Sequence, residues 1–186
     1  QGFRVVPAKG QNRPQSVKLN CKESGTTLRF LLPLLGALHV NATISAEGRL
    51  FSRPLDPLIS ELSAHGMSFT WQGEKFLEVS GQLTSGSFEL PGDISSQFIS
   101  GLLLSLPLLS SSSTIQITEP IQSKDYLAIT EQVMQDFGVT ATFDVSSATY
   151  TIEPQRYVCP GVYSIEGDWS NAAPWLAAGA IGQGIE

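Results

Sequence analysis

Apolar residues recur with helical spacing in two stretches of the chain, and a glycine follows each stretch. In residues 54–65 they follow the i, i+3, i+4, i+7 spacing of a helix with one buried face: Leu55, Leu58, Ile59 and Leu62. Residues 126–137 have a similar pattern. Gly66 and Gly138 come directly after the two stretches, where the left-handed conformation of the residue beyond a helix C-terminus favours glycine. The pattern predicts two helices that end at equivalent glycines.

A polar turn followed by an apolar run occurs three times. These runs predict helices over residues 24–37, 95–109 and 170–180, each opening on Ser or Asp oxygens that cap free backbone N–H groups. The segments rich in β-branched residues predict strands, which lie at 40–45, 67–72, 76–81, 113–118, 139–145 and 149–154. With a strand ahead of the first helix of each copy, the order of elements is β-α-β-α-β-β, and it is repeated.

The sequence itself repeats at an offset of 72 residues. Three pairs of positions define the register: Ser24 with Ser96, Leu55 with Leu127, and Gly66 with Gly138. A third start, EGDWSNAAPWLAAGA from Glu166, resembles PGDISSQFISGLLLS from Pro91. Repeats of this length indicate several copies of one supersecondary unit.

We therefore predict an α/β (α+β) fold built from about two such units and the start of a third. No flexible linker of the Gly/Ser/Pro type separates them. The prediction is a single compact domain over residues 1–186, with units over roughly 17–88 and 89–160 and the start of a further unit over 161–186.

The composition and net charge of the chain argue against several classes of protein function. The chain is 41% hydrophobic, which excludes wholesale disorder, and its net charge of -6 argues against nucleic acid as a partner. The longest apolar run, residues 98–109, is too short to span a membrane, so no membrane partner is expected. Cys21 and Cys159 are the only cysteines, so we expect no metal site. Two free thiols indicate a reducing, cytoplasmic compartment, and one disulfide between them is the alternative that the sequence leaves open.

Basic residues lie close to the turns that open the predicted helices: Lys22, Arg29, Arg49, Arg53 and Lys124. Helix N-termini present free N–H groups and the positive end of the helix dipole, so they attract phosphate or carboxylate. The pattern predicts a site for a polyanionic small molecule. Ordinary capping with solvated charges is the alternative that the residues leave open, since no nucleophile, P-loop or dinucleotide motif accompanies them.

Five segments, in order and at consistent spacing, resemble the EPSP synthase (3-phosphoshikimate 1-carboxyvinyltransferase) family. They are KESGTTLRFL at 22–31, SRPLDPL at 52–58, GDISSQF at 92–98, SKDY at 123–126 and EGDWSNAA at 166–173. The resemblance implies the enolpyruvyl transferase fold, in which two lobes each contain three β-α-β-α-β-β units. This chain resembles the second and third units of the N-terminal lobe and the crossover to the other lobe.

The resemblance also implies roles for individual residues. The expected ligands of shikimate 3-phosphate are Ser95, Ser96, Gln97, Ser123 and Tyr126. The expected ligands of phosphoenolpyruvate are Gly25, Arg53 and Gln97. Supporting roles are expected for Thr26, Arg29, Lys124 and Asp168. No cofactor and no catalytic acid or base is expected here, because the family's acid/base carboxylates belong to the other lobe.

The activity implied is transfer of the enolpyruvyl group of phosphoenolpyruvate to the 5-hydroxyl of shikimate 3-phosphate, a step of the shikimate pathway. We expect the isolated chain to bind substrate weakly and to be inactive without the remainder of the synthase. Glu23 and Phe30 depart from the family's usual residues, which puts sensitivity to glyphosate in question.

Three other interpretations compete with this one. UDP-N-acetylglucosamine enolpyruvyltransferases share the fold but carry a loop cysteine where this chain has Gly48. A stand-alone anion-binding module derived from one lobe is the non-enzymatic interpretation. A degenerate core without a ligand is the third.

Overall fold

Two four-stranded sheets and five α-helices form the part of the chain that the computed structural model describes, residues 4–5 and 14–182. Of residues 169 and 170 only the backbone is described. Each sheet belongs to one repeat, and the two repeats have the same order of elements.

The first repeat runs from residue 16 to residue 81. Its elements are β1 (Ser16–Asn20), α1 (Gly25–Ala37), β2 (Asn41–Ser45), a 3-10 turn (Leu50–Ser52), α2 (Asp56–Ala64), β3 (Met67–Gln72) and β4 (Phe76–Gly81). The strands are ordered β1-β2-β4-β3. β1 is parallel to β2, and the other pairs are antiparallel.

The second repeat has the same arrangement. Its elements are β5 (Ser87–Leu90), α3 (Ser96–Ser105), a 3-10 turn (Leu106–Leu108), β6 (Ser113–Ile117), α4 (Lys124–Asp136), β7 (Thr142–Asp144) and β8 (Thr149–Ile152). The order β5-β6-β8-β7, with β5 parallel to β6, reproduces the first sheet. The predicted β-α-β-α-β-β order is confirmed, and β5 spans the point where we divided the units.

Two of the observed elements are shorter than the predicted ones. Pro107 cannot donate a backbone hydrogen bond, and α3 ends at Ser105 in a 3-10 turn, earlier than predicted. Strand β7 covers only Thr142–Asp144, whereas the prediction was residues 139–145. Gly66 and Gly138 have φ values of 95° and 77°, as predicted for residues that follow a helix C-terminus.

A continuous hydrophobic core joins the two repeats. It includes Leu28 and Leu32 of α1 and Phe98 and Leu102 of α3, all with no exposed surface. These two helices are apolar over most of their surface because they are covered on several sides. In contrast, α2 and α4 each bury only a stripe, as their amphipathic sequences predict.

Helices α1 and α3 approach each other closely at one glycine. A Cβ on Gly101 would lie 2.8 Å from the carbonyl oxygen of Arg29 and 3.3 Å from Cγ of Pro33. Pro33 has no N–H, so the Arg29 carbonyl lacks its usual partner four residues along the helix. The absence of a side chain at position 101 lets α3 lie against that turn of α1.

Helix α5 (Trp169–Ile181) lies outside the core. Its N-cap is Asp168, whose side chain accepts a hydrogen bond from the backbone N–H of Asn171. The predicted start at Ser170 is therefore displaced towards the N-terminus. Trp175 is 70% exposed, although the sequence of this helix is as apolar as those of α1 and α3.

Among the described residues, no helix has the length and hydropathy needed to cross a bilayer.

We predict that Gly101→Ala lowers the free energy of unfolding by about 1–3 kcal/mol, because the new methyl group meets backbone that cannot move aside cheaply. Urea unfolding followed by circular dichroism measures this. The matched control is Gly179→Ala in α5, where no atom lies within 4 Å of the added Cβ, and it should be neutral or slightly stabilising. Equal stabilities of the two variants would contradict the close contact of the helices.

Candidate functional site

The N-termini of α1 and α3 lie side by side at one end of the core. Ser24 caps α1 by accepting a hydrogen bond from the Thr27 N–H at 3.2 Å, and Ser95 caps α3 by accepting one from the Gln97 N–H at 3.3 Å. Both caps confirm the prediction. The remaining N–H groups and the positive ends of two helix dipoles therefore favour negative charge at this place.

Three polar side chains converge on Gly25, the first residue of α1. A Cβ at this position would lie 3.3 Å from Nη1 of Arg53, 3.6 Å from Nη1 of Arg29 and 3.8 Å from Oε1 of Gln97. The glycine thus leaves open a space that two guanidinium groups and an amide surround. A side chain here would press directly on Arg53.

The two guanidinium groups are not neutralised by a carboxylate. The ion pair found within the described part of the chain joins Lys22 and Glu47, so neither Arg29 nor Arg53 belongs to one there. Burial, and next the positive charge of Arg53, lower the pKa of Arg29 from its usual value. A bound anion would relieve this repulsion between like charges.

Gln97 connects the two helices through its side-chain amide. Its Oε1 accepts a hydrogen bond from Nη1 of Arg29 at 2.7 Å, and its Nε2 donates to Oγ1 of Thr26 at 2.7 Å. Gly25, Thr26, Arg29, Arg53 and Gln97 are therefore brought together, and all of them were singled out in the sequence.

The predicted residues of α4 are held by a different contact. A buried hydrogen bond of 2.7 Å joins Ser100 of α3 to Thr130 of α4. Ser123 precedes α4 with φ at 62°, and its hydroxyl makes no capping hydrogen bond, so this hydroxyl is available to a ligand. Tyr126 is 58% exposed. In residues 14–182 no hydrogen bond joins Ser123, Lys124 or Tyr126 to the cluster around Gly25.

Other predicted basic and acidic residues have separate tasks. The Lys22 ammonium lies 2.8 Å from a Glu47 carboxylate oxygen, and Arg49 lines a groove with Phe51 and Trp71. The Asp168 carboxylate accepts hydrogen bonds from the backbone N–H and the side-chain amide of Asn171. Asp168 therefore acts as a helix cap within the described structure.

Sequence reasoning missed the neighbours that hold Arg29. The guanidinium carbon lies 5.1 Å from the centre of the Phe98 ring, a cation–π distance, and Nη2 donates to the Pro54 carbonyl at 3.4 Å. No motif in the sequence marks these two contacts, because each joins Arg29 to a residue far away along the chain.

Gly48 is packed against the side chain of Glu23. It has φ of 57°, and a Cβ here would lie 1.8 Å from Oε1 of Glu23. A larger residue here would have to adopt an unfavourable left-handed conformation and displace the exposed side chain of Glu23, which disfavours a loop cysteine at this position. Across the described side chains, no three His, Cys, Asp or Glu residues are grouped so that they could hold a metal ion.

Comparison with protein families matches residues 2–186 to EPSP synthase (3-phosphoshikimate 1-carboxyvinyltransferase). The chain belongs to the EPSP synthase family. The 3-phosphoshikimate 1-carboxyvinyltransferase of Clostridium kluyveri is 40% identical over 189 residues, which are 100% of this chain and 44% of that protein. The enzyme of Dehalococcoides mccartyi is 37% identical over 163 residues, covering 88% of this chain and 39% of that protein. The chain thus spans less than half the length of these EPSP synthases.

Solved structures show the same fold. EPSP synthase from Acinetobacter baumannii superimposes with a TM-score of 0.67 at 21% identity, covering 87% of this chain and 36% of that one. The enolpyruvyl transferase NikO from Streptomyces tendae superimposes with a TM-score of 0.60 at 20% identity, covering 81% and 36%. The fold class predicted from the repeat is confirmed.

We predict that inorganic phosphate stabilises the chain through Arg53. If phosphate binds at the cluster around Gly25 with Kd of about 5 mM, 50 mM phosphate adds about 1.4 kcal/mol and raises Tm by a few degrees relative to chloride at equal ionic strength. Because phosphate also stabilises proteins non-specifically, the measurement is the Tm difference between wild type and Arg53→Ala.

Arg156→Ala is the matched control, since it removes an exposed arginine from a segment distant in sequence. Its phosphate response should equal that of the wild type. The same response in Arg53→Ala would mean that phosphate acts by general exclusion alone.

Proposed function

We propose that this chain supplies the phosphate-binding half of an EPSP synthase, the enzyme that transfers the enolpyruvyl group of phosphoenolpyruvate to shikimate 3-phosphate. The observation that carries the proposal is the cluster of Arg29, Arg53 and Gln97 around Gly25, with two arginines that no described carboxylate neutralises. Membership of the EPSP synthase family along residues 2–186 supports it.

Shikimate 3-phosphate would lie over the N-terminus of α3. Its proposed ligands are Ser95, Ser96, Gln97, Ser123 and Tyr126. The hydroxyls of Ser96 and Ser123 can donate to phosphate oxygens without giving up a capping hydrogen bond. Ser95 already accepts a capping bond from the Gln97 N–H and can still donate its own hydroxyl proton to phosphate.

Phosphoenolpyruvate would occupy the space beside Gly25. Arg53 would grip its carboxylate or phosphate in the bidentate way that a guanidinium permits, and Gln97 would contact both substrates. Thr26, Arg29 and Lys124 would support these ligands. Asp168, which begins α5, would have its role at the crossover to the remainder of the synthase.

The reaction is an addition followed by an elimination. The 5-hydroxyl of shikimate 3-phosphate loses its proton and its oxygen bonds to C2 of phosphoenolpyruvate while C3 gains a proton. C3 then gives up a proton, the C2–O bond to phosphate breaks, and phosphate leaves as the double bond reforms. This chain's residues would bind both substrates, hold them in contact and neutralise their charge. The groups that move protons would come from the part of the synthase beyond this chain.

Two features bear on the location and on the alternatives. Both cysteines, Cys21 and Cys159, are free thiols, which fits the cytoplasmic compartment we propose. The contact of Glu23 with Gly48 disfavours a UDP-N-acetylglucosamine enolpyruvyltransferase, whose loop cysteine would need that space. The alternative is a stand-alone anion-binding module. The same pair of arginines, Arg29 and Arg53, could bind the anion in such a module.

Calorimetric titration with shikimate 3-phosphate tests the proposal. We expect weak binding by the chain, and a loss of about tenfold or more in Ser123→Ala, because a hydrogen bond to a charged group contributes about 1.5–3 kcal/mol. The control is Ser110→Ala, an exposed serine just beyond the other end of α3. No heat of binding at millimolar ligand would count against a preformed phosphate site in this chain.

Turnover provides the second test. We expect the purified chain to release no phosphate from phosphoenolpyruvate above background when shikimate 3-phosphate is present, because the proposed acid and base groups lie outside it. A colorimetric phosphate assay measures this, with a complete EPSP synthase as the positive control. Turnover by the chain alone would contradict the proposal and would place the acid and base within residues 1–186.

A further inference from the structure

The side chain of Arg29 joins three segments at the candidate site. It starts on α1, crosses the face of Phe98 on α3, and donates to Oε1 of Gln97 at 2.7 Å. Its other terminal nitrogen donates to the Pro54 carbonyl at 3.4 Å, next to Arg53. Of the three residues proposed to touch phosphoenolpyruvate, Arg29 therefore contacts Gln97 directly and reaches the chain next to Arg53.

Contact with Arg29 determines which way the Gln97 amide points. A guanidinium can only donate hydrogen bonds, so the atom of Gln97 that faces it must be the carbonyl oxygen. The amide nitrogen then points to the opposite side, where one hydrogen is donated to Oγ1 of Thr26 at 2.7 Å. The second hydrogen is left for a ligand.

Arg29 and Arg53 differ in how many of their side-chain N–H groups already donate to an acceptor in the protein. Arg29 is half-buried and has two described hydrogen-bond acceptors, whereas Arg53 is exposed and its side chain has none among the described residues. The buried Nε of Arg29 has no hydrogen-bond partner in the described part of the chain. Arg53 is thus placed to grip an anion, and Arg29 is placed to hold its neighbours.

We propose that Arg29 is a positioning residue that fixes the side-chain amide of Gln97 with an N–H directed at the bound substrates. The inference deepens the proposed function and rests on it for the identity of the substrates. The orientation of the amide, however, is a property of the chain without ligand, and it can be measured separately.

The first experiment observes Gln97 directly, in the ligand-free chain. Side-chain amide signals of a ¹⁵N-labelled sample are compared for wild type and Arg29→Met, which keeps an apolar stem over Phe98 and removes every donor. The Gln97 pair is assigned by its disappearance in Gln97→Glu. We expect the pair to move to the shifts and fast exchange of an exposed glutamine in Arg29→Met.

Arg53→Lys is the control and should leave that pair in place, because Arg53 does not bond to Gln97 in the structure. An unchanged Gln97 pair in a folded Arg29→Met chain would overturn the proposal. If Arg29→Met does not fold, Arg29→Lys replaces it, since a shorter, single-headed cation cannot hold Oε1 and the Pro54 carbonyl together.

The second experiment is a double-mutant cycle on the affinity for phosphoenolpyruvate, with shikimate 3-phosphate in excess. Arg29→Met should weaken binding about tenfold or more when Gln97 is present, and less than about twofold in a Gln97→Met background. Equal losses in both backgrounds would make Arg29 a direct ligand and would overturn the positioning role.

The two experiments separate the two ideas. If wild type binds neither substrate but the Gln97 signals respond to Arg29→Met, the proposed function of the isolated chain fails and the positioning role stands. If wild type binds both substrates while the Gln97 signals ignore Arg29, the positioning role fails and the proposed function stands. Gln97→Glu supplies a further check, because it still accepts from Arg29 but cannot donate to Thr26 or to an anion.

Discussion

The contact between α1 and α3 at Gly101 is the constraint on which the candidate site depends. Pro33 frees the carbonyl of Arg29, and the missing side chain at position 101 lets α3 lie against it. The two helices then run side by side with their N-termini at the same end. Gln97 can consequently reach Thr26 and Arg29, which lie about 70 residues away in sequence. A separation of even a few ångströms would break both hydrogen bonds and leave two isolated helix ends.

The repeat explains how the N-termini of α1 and α3 come to lie at the same end of the core. Two copies of one unit place two equivalent helices in the core and two equivalent turns at the same end. The copies then diverge where chemistry requires it. Helix α1 supplies the cation, Arg29, and α3 supplies Gly101, which lets the backbones of the two helices approach each other.

Much of this could be predicted from the sequence, and the reasons are local. Glycines after helices, serine caps and β-branched runs report on backbone conformation within a few residues, so the order of elements and the caps at Ser24 and Ser95 followed from the pattern. Five residues of the cluster were also singled out. The contacts that hold them were not, because the Phe98 ring under Arg29 and the Pro54 carbonyl beside it are set by packing between distant segments. The start of α5 was placed slightly too late in the chain, because Asp168 and Ser170 have similar capping propensity and the sequence does not choose between them.

The packing of Glu23 against Gly48 has a consequence for how such a sequence can change over time. Any side chain introduced at position 48 collides with the Glu23 carboxylate, and it also adopts a left-handed backbone that only glycine accepts cheaply. Because Glu23 is exposed and its carboxylate is the free end of a flexible side chain, the left-handed backbone is the larger obstacle at position 48. A lineage that shortened residue 23 would remove the collision, yet the loop would still have to change shape before a residue other than glycine fits without strain.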